Sequence, residues 1–271
     1  MWSEHYQQQV NRNIGLLTEL EQEKLRSSCV AVCGVGGLGG IIAEILGRVG
    51  VGSMVLLDHG TFEPSNLNRQ IFSFDNTDGR YKTDVTEEFL LRINPEIRLR
   101  KYLQVSPENV DEFLEGVDVI ALTVDDIRPI LTLSRAARAK KVPLVEGWAM
   151  AYGNVRVFTD ATPTLEEVYG LPTVGREIAS LTDAECRELM IFSLMHMQKI
   201  EGLRDYYSEA TLHRMMTKGE GTTLAPMVWL TSVLMANEVF KVILGWGDLA
   251  LAPELRFYDA IKHRIPQAST E

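Results

Sequence analysis

Val30-Ala-Val-Cys-Gly34-Val-Gly36-Gly37-Leu-Gly39-Gly40 carries an apolar run into a glycine-rich turn, and a second apolar run, Ser53-Met-Val-Leu-Leu57, ends in Asp58. Glycines placed there let the backbone turn sharply out of a strand and bring its N–H groups close to a phosphate at a helix N-terminus. Gly34, Gly36, Gly37 and Gly39 are therefore candidate nucleotide-binding positions, in a Rossmann-like setting. Downstream stands Ser65-Asn66-Leu-Asn68-Arg69-Gln70. An Asn and Arg set shortly after the acidic residue suits a site that grips and polarises a triphosphate, beyond what holding a dinucleotide requires.

Outward from this stretch the chain alternates. Residues 13–26 have helical spacing with Thr18 as a cap, 29–33 read as a strand covered on both faces, 38–49 as a helix and 53–57 as the next strand. Residues 82–92 read as a helix, 97–103 as extended, 117–123 as a buried strand, 128–140 as a helix and 143–147 as another strand. This predicts an α/β fold: a Rossmann-like, mostly parallel sheet with helices on both faces. Gly36, Asp58 and Asp125 each follow a predicted strand end, which places them on one rim. Alternation stops after 153–158. We expect one domain over 1–271: an N-terminal helical segment (1–27), a nucleotide-binding core (28–159), a crossover or cap insertion (160–222) with a helix over 183–200, and a C-terminal part (223–271) holding a helix over 224–244 and closing strands at 255–258 and 261–265.

Composition narrows the function classes. The net charge of -10 disfavours a broad grip on nucleic acid, and the basic run 135–141 reads as a solvated helix face. Three cysteines, an odd number, do not suggest a secreted disulfide framework. No signal peptide is visible at the N-terminus, and the apolar run 224–244 is interrupted by Asn237, Glu238 and Lys241, which argues against a membrane span. A reducing cytoplasm is expected.

The motifs together resemble the ThiF/MoeB family, the adenylating core of ubiquitin-activating-type enzymes. The matching text is Arg12-Asn-Ile, Gly34-Val-Gly-Gly-Leu-Gly39, Asp58, Ser65-Asn-Leu-Asn-Arg-Gln70, Gly79-Arg-Tyr-Lys82, Thr123-Val-Asp125-Asp126 and Ala236-Asn-Glu-Val-Phe-Lys241. The resemblance implies attack of a carboxylate on the α-phosphate of ATP, giving an acyl-adenylate and pyrophosphate. It implies that the glycine loop and Asp58 hold the nucleotide, that Asn66, Arg69 and Lys82 orient and neutralise the triphosphate with help from Gln70, and that Asp125 holds Mg²⁺. Arg12 would reach the neighbouring subunit's site in a homodimer. The substrate would be a carboxylate, such as the C-terminus of a small ubiquitin-like or sulfur-carrier protein or peptide. Asp126 stands where the family usually has Asn, and either aids the metal or caps the following helix.

Two family features are missing. The paired Cys-x-x-Cys motifs of a structural zinc are absent, so no zinc is expected, and Cys29 and Cys33 read as core side chains. Cys186 is the one candidate thiol in the crossover; a helix N-terminus and Arg187 would favour its thiolate, but no matching motif surrounds it and packing is the preferred reading. Met190-Ile-Phe-Ser-Leu-Met195-His-Met197 reads as a helix packing face. Two other functions stay open at this level: an NAD-dependent oxidoreductase, which leaves Asn66, Arg69 and Asp125 without a task, and a catalytically silent nucleotide-binding relative.

Overall fold

The computed structural model describes residues 2–197, 205–218 and 221–265. Its centre is a seven-stranded sheet built from β1 (Cys29–Cys33), β2 (Ser53–Leu57), β3 (Arg98–Tyr102), β4 (Val119–Leu122), β5 (Leu144–Glu146), β6 (Gly153–Phe158) and β7 (Arg256–Tyr258), in the spatial order β3-β2-β1-β4-β5-β6-β7. The first five strands run parallel, and β6 and β7 are antiparallel additions at one edge. Strand order reverses between β1 and β4. Ligands in open α/β sheets sit in the crevice at the carboxyl ends of strands at such a reversal.

Ten helices occur among the described residues: α1 (Glu4–Val10), α2 (Glu19–Ser27), α3 (Gly37–Arg48), α4 (Lys82–Ile93), α5 (Val110–Phe113), α6 (Ile127–Lys140), α7 (Leu165–Tyr169), α8 (Asp183–Met197), α9 (Glu209–Lys218) and α10 (Ala225–Leu244). Strand alternation sorts the core into two layers. On β1, Val30 and Val32 join Ile42 and Leu46 of α3 and Met235 and Val239 of α10, whereas Ala31 and Cys33 face Ile127 and Leu131 of α6 and the crossover helices. The apolar helix α10 buries Val228, Met235 and Val239 against α3 and the sheet.

The sequence pattern and the structure part company in three places. Residues 11–17 form turns, not helix: Gly15 takes a left-handed φ of +109°, and α2 starts at a capping box in which the Glu21 N–H donates to Thr18 Oγ1 (3.2 Å) and the Thr18 N–H to Glu21 Oε2 (2.8 Å). The helix expected over 183–200 is observed to Met197, and 198–200 lie outside the described residues. The second closing strand, at 261–265, is instead a turn around buried Asp259, whose Oδ1 accepts from the Ile261 and Lys262 N–H groups (3.1 and 3.0 Å) and from Tyr206 Oη (2.9 Å). A buried carboxylate gathers donors from the chain following it, and that favours a turn over a ladder.

Candidate nucleotide site at the carboxyl rim

Past the end of β1, the Gly34 N–H donates to Leu57 O (2.7 Å), and the Thr123 N–H reaches back to Cys33 O (2.8 Å), so the three central strands β2, β1 and β4 finish level. Gly34 then turns at φ +95°, where a Cβ would lie 2.8 Å from Thr123 O. Gly39 is more constrained still: its Cβ would stand 1.7 Å from Gly34 O. These two glycines allow the turn to fold back on α3. Gly36 and Gly37 line the loop's other side: a Cβ at Gly36 would meet the Gln70 amide at 3.6 Å, and one at Gly37 would meet Val228 Cγ1 of α10 at 3.2 Å and Arg69 Cγ at 3.5 Å. Gly34 and Gly39 thus serve close packing within the turn, Gly37 lies tight against α10, and Gly36 keeps ordinary contact distance to Gln70.

Asp58 closes the floor. Its Oδ2 accepts from the Val35 N–H (3.0 Å) and its Oδ1 from the Gly60 N–H (2.8 Å), so it shapes the glycine loop while each oxygen keeps acceptor capacity. A Cβ at Gly60 would lie 3.1 Å from Asp58 Oδ1 and 3.2 Å from Lys82 Nζ, which puts the first residue of α4 beside the loop. Lys82 has no ion-pair partner among the described residues.

The 3₁₀ turn Pro64–Asn66 supplies the opposite wall. Asn66 is buried, its Oδ1 accepting from the Glu63 N–H at 3.2 Å. Arg69 Nη1 donates to Ser65 O (3.1 Å) and Asn68 Oδ1 (2.8 Å), and the Arg69 carbonyl accepts from Trp229 Nε1 of α10 (2.9 Å). Gln70 is buried, and its Oε1 has no hydrogen-bond partner among the described residues. Its amide faces Gly36, with the donor Nε2 nearest to where a Gly36 Cβ would stand, at 3.6 Å.

Asp125 and Asp126 stand exposed just beyond β4. Asp126 caps α6, its Oδ1 accepting from the Arg128 N–H at 3.0 Å, so the capping alternative is realised. Asp125 has no partner among the described residues. No group of three or more potential metal-ligating side chains occurs among the described residues.

The structure therefore gathers Gly34, Gly36, Gly37, Gly39, Asp58, Asn66, Arg69, Gln70 and Lys82 around one loop, with Asp125 on the neighbouring strand end. Arg12 is elsewhere. It lies in the turn after α1, where its neighbour Asn13 donates to Val49 O at the far end of α3, a helix length of about 18 Å from the loop. Three residues had no role in the sequence reading, two of them, Asn68 and Thr123, although they stand in its motifs. Thr123 Oγ1 sits 2.6 Å from Gly34 O and holds the turn, and Asn68 and Trp229 brace Arg69. A polar residue ending an apolar strand was a visible signal for Thr123; Trp229, 160 positions beyond Arg69, carried none.

The crossover thiol is packed. Cys186 is 6% exposed in the core, and burial raises its pKa, with the Arg128 guanidinium acting in the other direction. It is the fourth residue of α8, after a capping box between Thr182 and Glu185. Along the same helix Leu189 and Ser193 turn inward, while Phe192 and Met195 face outward and His196 meets the Tyr169 ring edge-on at 5.3 Å.

Comparisons with known proteins agree with this geometry. The chain is 34% identical over 247 residues to the molybdopterin-synthase adenylyltransferase of Escherichia coli (strain K12), covering 89% of this chain and 82% of that protein. It is 33% identical over 151 residues to the protein of the same name from Haemophilus influenzae, covering 54% of this chain and 62% of the relative, so this match spans less than two thirds of that relative's length. The fold is also that of a solved structure of selenomethionyl PaaA, with a TM-score of 0.72, 19% identity, and coverage of 99% of this chain and 84% of that one. A family model matches residues 6–271, nearly the whole sequence, and the chain belongs to the ThiF family.

Proposed function

We propose that the protein is an ATP- and Mg²⁺-dependent adenylyltransferase that activates a carboxylate, the C-terminus of a small carrier protein or peptide, as an acyl-adenylate. One observation carries the reading: in a chain with 37 acidic and 27 basic residues, Arg69 and Lys82 both flank the glycine loop without a carboxylate partner among the described residues. Cations kept unpaired at a helix N-terminus suit a polyanion.

In this reading the substrate carboxylate attacks the α-phosphorus, the bond to the bridging oxygen breaks, and pyrophosphate leaves with that electron pair. The loop N–H groups of Gly36 and Gly37 and the N-terminus of α3 support the phosphate charge. Asp58, already oriented by Val35 and Gly60, accepts from the ribose hydroxyls. Arg69 and Lys82 stabilise charge gathering on the leaving pyrophosphate, where preorganised donors lower the barrier most. Asn66 and Gln70 orient the phosphates. Asp125 would hold Mg²⁺, which would supply charge neutralisation for the phosphates there.

The name of the closely matched relatives, adenylyltransferases of a synthase, supports a protein substrate. Arg12, remote from the site of its own chain, acts in this reading on the site of a second subunit, and the active form is a cytoplasmic homodimer. ATP–pyrophosphate exchange with Mg²⁺, across a panel of carboxylates including carrier proteins with small-residue tails, tests the reading. Exchange with one candidate, lost in Asp125→Asn and Arg69→Ala, supports it. A purified protein that fails to bind ATP sinks it. Activity regained on mixing Arg12→Ala with Asp125→Asn protomers tests the shared site.

A further inference from the structure

Arg69 is held in an unusual way for a surface cation. Nη1 carries two hydrogens, and both have acceptors: Ser65 O at 3.1 Å and Asn68 Oδ1 at 2.8 Å. Nε and Nη2 have no partner among the described residues. The free edge of the guanidinium is thus the one on which Nε–H and Nη2–H project side by side, the fork that matches two oxygens of a phosphate. Asn68 is itself fixed. Its Nδ2 donates to Thr223 O at 3.3 Å, and this assigns the amide, because only one orientation gives an acceptor to Arg69 and a donor to Thr223.

The segment that receives Asn68 leads directly into α10, and it is tied to the crossover through Tyr207 Oη, which donates to Thr222 O at 3.3 Å. Three residues later in α10 than Pro226, Trp229 grips the Arg69 carbonyl. Both ends of the arginine are therefore tied to the start of α10 and the segment that leads into it.

Resting on the adenylating reading above, we propose that Asn68 is a positioning residue for ATP: by taking one hydrogen of Nη1 and anchoring to Thr223, it turns the Nε/Nη2 edge of Arg69 towards the polyphosphate. Without it the guanidinium keeps its charge and loses its preset orientation, and must be ordered when nucleotide binds. Asn68 touches no substrate. Its whole effect passes through Arg69.

The test is equilibrium binding of Mg²⁺–ATP and of AMP to the full chain, as wild type, Asn68→Ala, Arg69→Ala and the double variant. Asn68→Ala is expected to weaken ATP about three- to tenfold and to leave AMP within about twofold, which also shows the variant is folded. The double variant is expected to bind ATP no more weakly than Arg69→Ala alone, since an effect relayed through Arg69 disappears once Arg69 is gone. If the Ala variant does not keep the wild-type melting temperature, Asn68→Ser replaces it, its hydroxyl being too short for both contacts. Undiminished ATP binding in Asn68→Ala, an equal loss for ATP and AMP, or a further loss in the double variant would each overturn the proposal. Loss in Arg69→Ala with none in Asn68→Ala refutes the positioning role alone; a wild-type protein that does not bind ATP removes the adenylating reading with it.

Discussion

Replacing Arg156 by Met probes what pins the crossover to the sheet. Arg156 on β6 and Glu146 on β5 are paired directly across the antiparallel ladder, and both are buried, at 1% and 4% exposure. Arg156 Nε and Nη2 donate to Glu146 Oε2 at 3.1 and 2.6 Å, Nη2 also reaches Tyr169 Oη of α7 at 2.6 Å, and Tyr169 Oη lies 2.9 Å from the same carboxylate oxygen. Trp148 Nε1 completes the set by donating to Tyr169 Oη at 2.7 Å. Arg156→Met fills comparable volume but strands the Glu146 carboxylate with one neutral donor. Breaking a buried pair in this way costs about 3–5 kcal/mol. With an unfolding entropy of roughly 2.1 cal/mol/K per residue, a cooperative chain of this length would melt about 5–9 °C lower. Urea and thermal denaturation of the wild type, Arg156→Met and Arg156→Met/Glu146→Gln measure it. The double variant removes the stranded charge while keeping an acceptor for Tyr169, so it should recover at least about half the loss. A single-variant cost below about 1 kcal/mol, or a double variant no more stable than the single, would refute the reasoning.

Neighbouring glycines should respond with opposite sign: Gly39→Ala, whose Cβ meets Gly34 O at 1.7 Å, is expected to lose nucleotide binding and about 1–3 kcal/mol of stability, while Gly40→Ala, with nothing nearer than 3.5 Å inside α3, should hold or gain about 0.5–1 kcal/mol, both read from urea midpoints. The Glu185 carboxyl is lowered to about 2 by the Thr182 N–H, with Arg176 and the Thr182 hydroxyl assisting. A depressed folded-state pKa contributes stability above the ordinary value of 4.5 and loses it as pH falls towards 2, so Glu185→Gln should melt below wild type at pH 7 and the gap should close across that window.

Much of the sheet was legible because β1, β2 and β4 are short apolar runs buried on both faces, with α3 between the first two and α4, β3 and α5 before the third, and a parallel sheet accommodates that alternation. The antiparallel edge was less legible, since β7 has three residues and its partner segment turns on Asp259, a contact with Tyr206 some fifty positions away. Of the site, Gly34, Gly39 and Asp58 announced themselves through backbone demands that act within a few residues of sequence. Asn68 and Trp229 did not, because their purpose depends on α10 returning beside the turn at 65–70.

Read alone, the sequence told which residues end the central strands and that Gly36, Asp58 and Asp125 stand on one rim, since strand ends and turns are dictated locally. Tertiary structure alone decided that Asp126 spends an oxygen capping α6, that Cys186 is buried with a raised pKa, that Arg12 lies a helix length from its own site, and that Arg69 presents one edge of its guanidinium. Such outcomes depend on which distant groups compete for each side chain, and packing settles that competition.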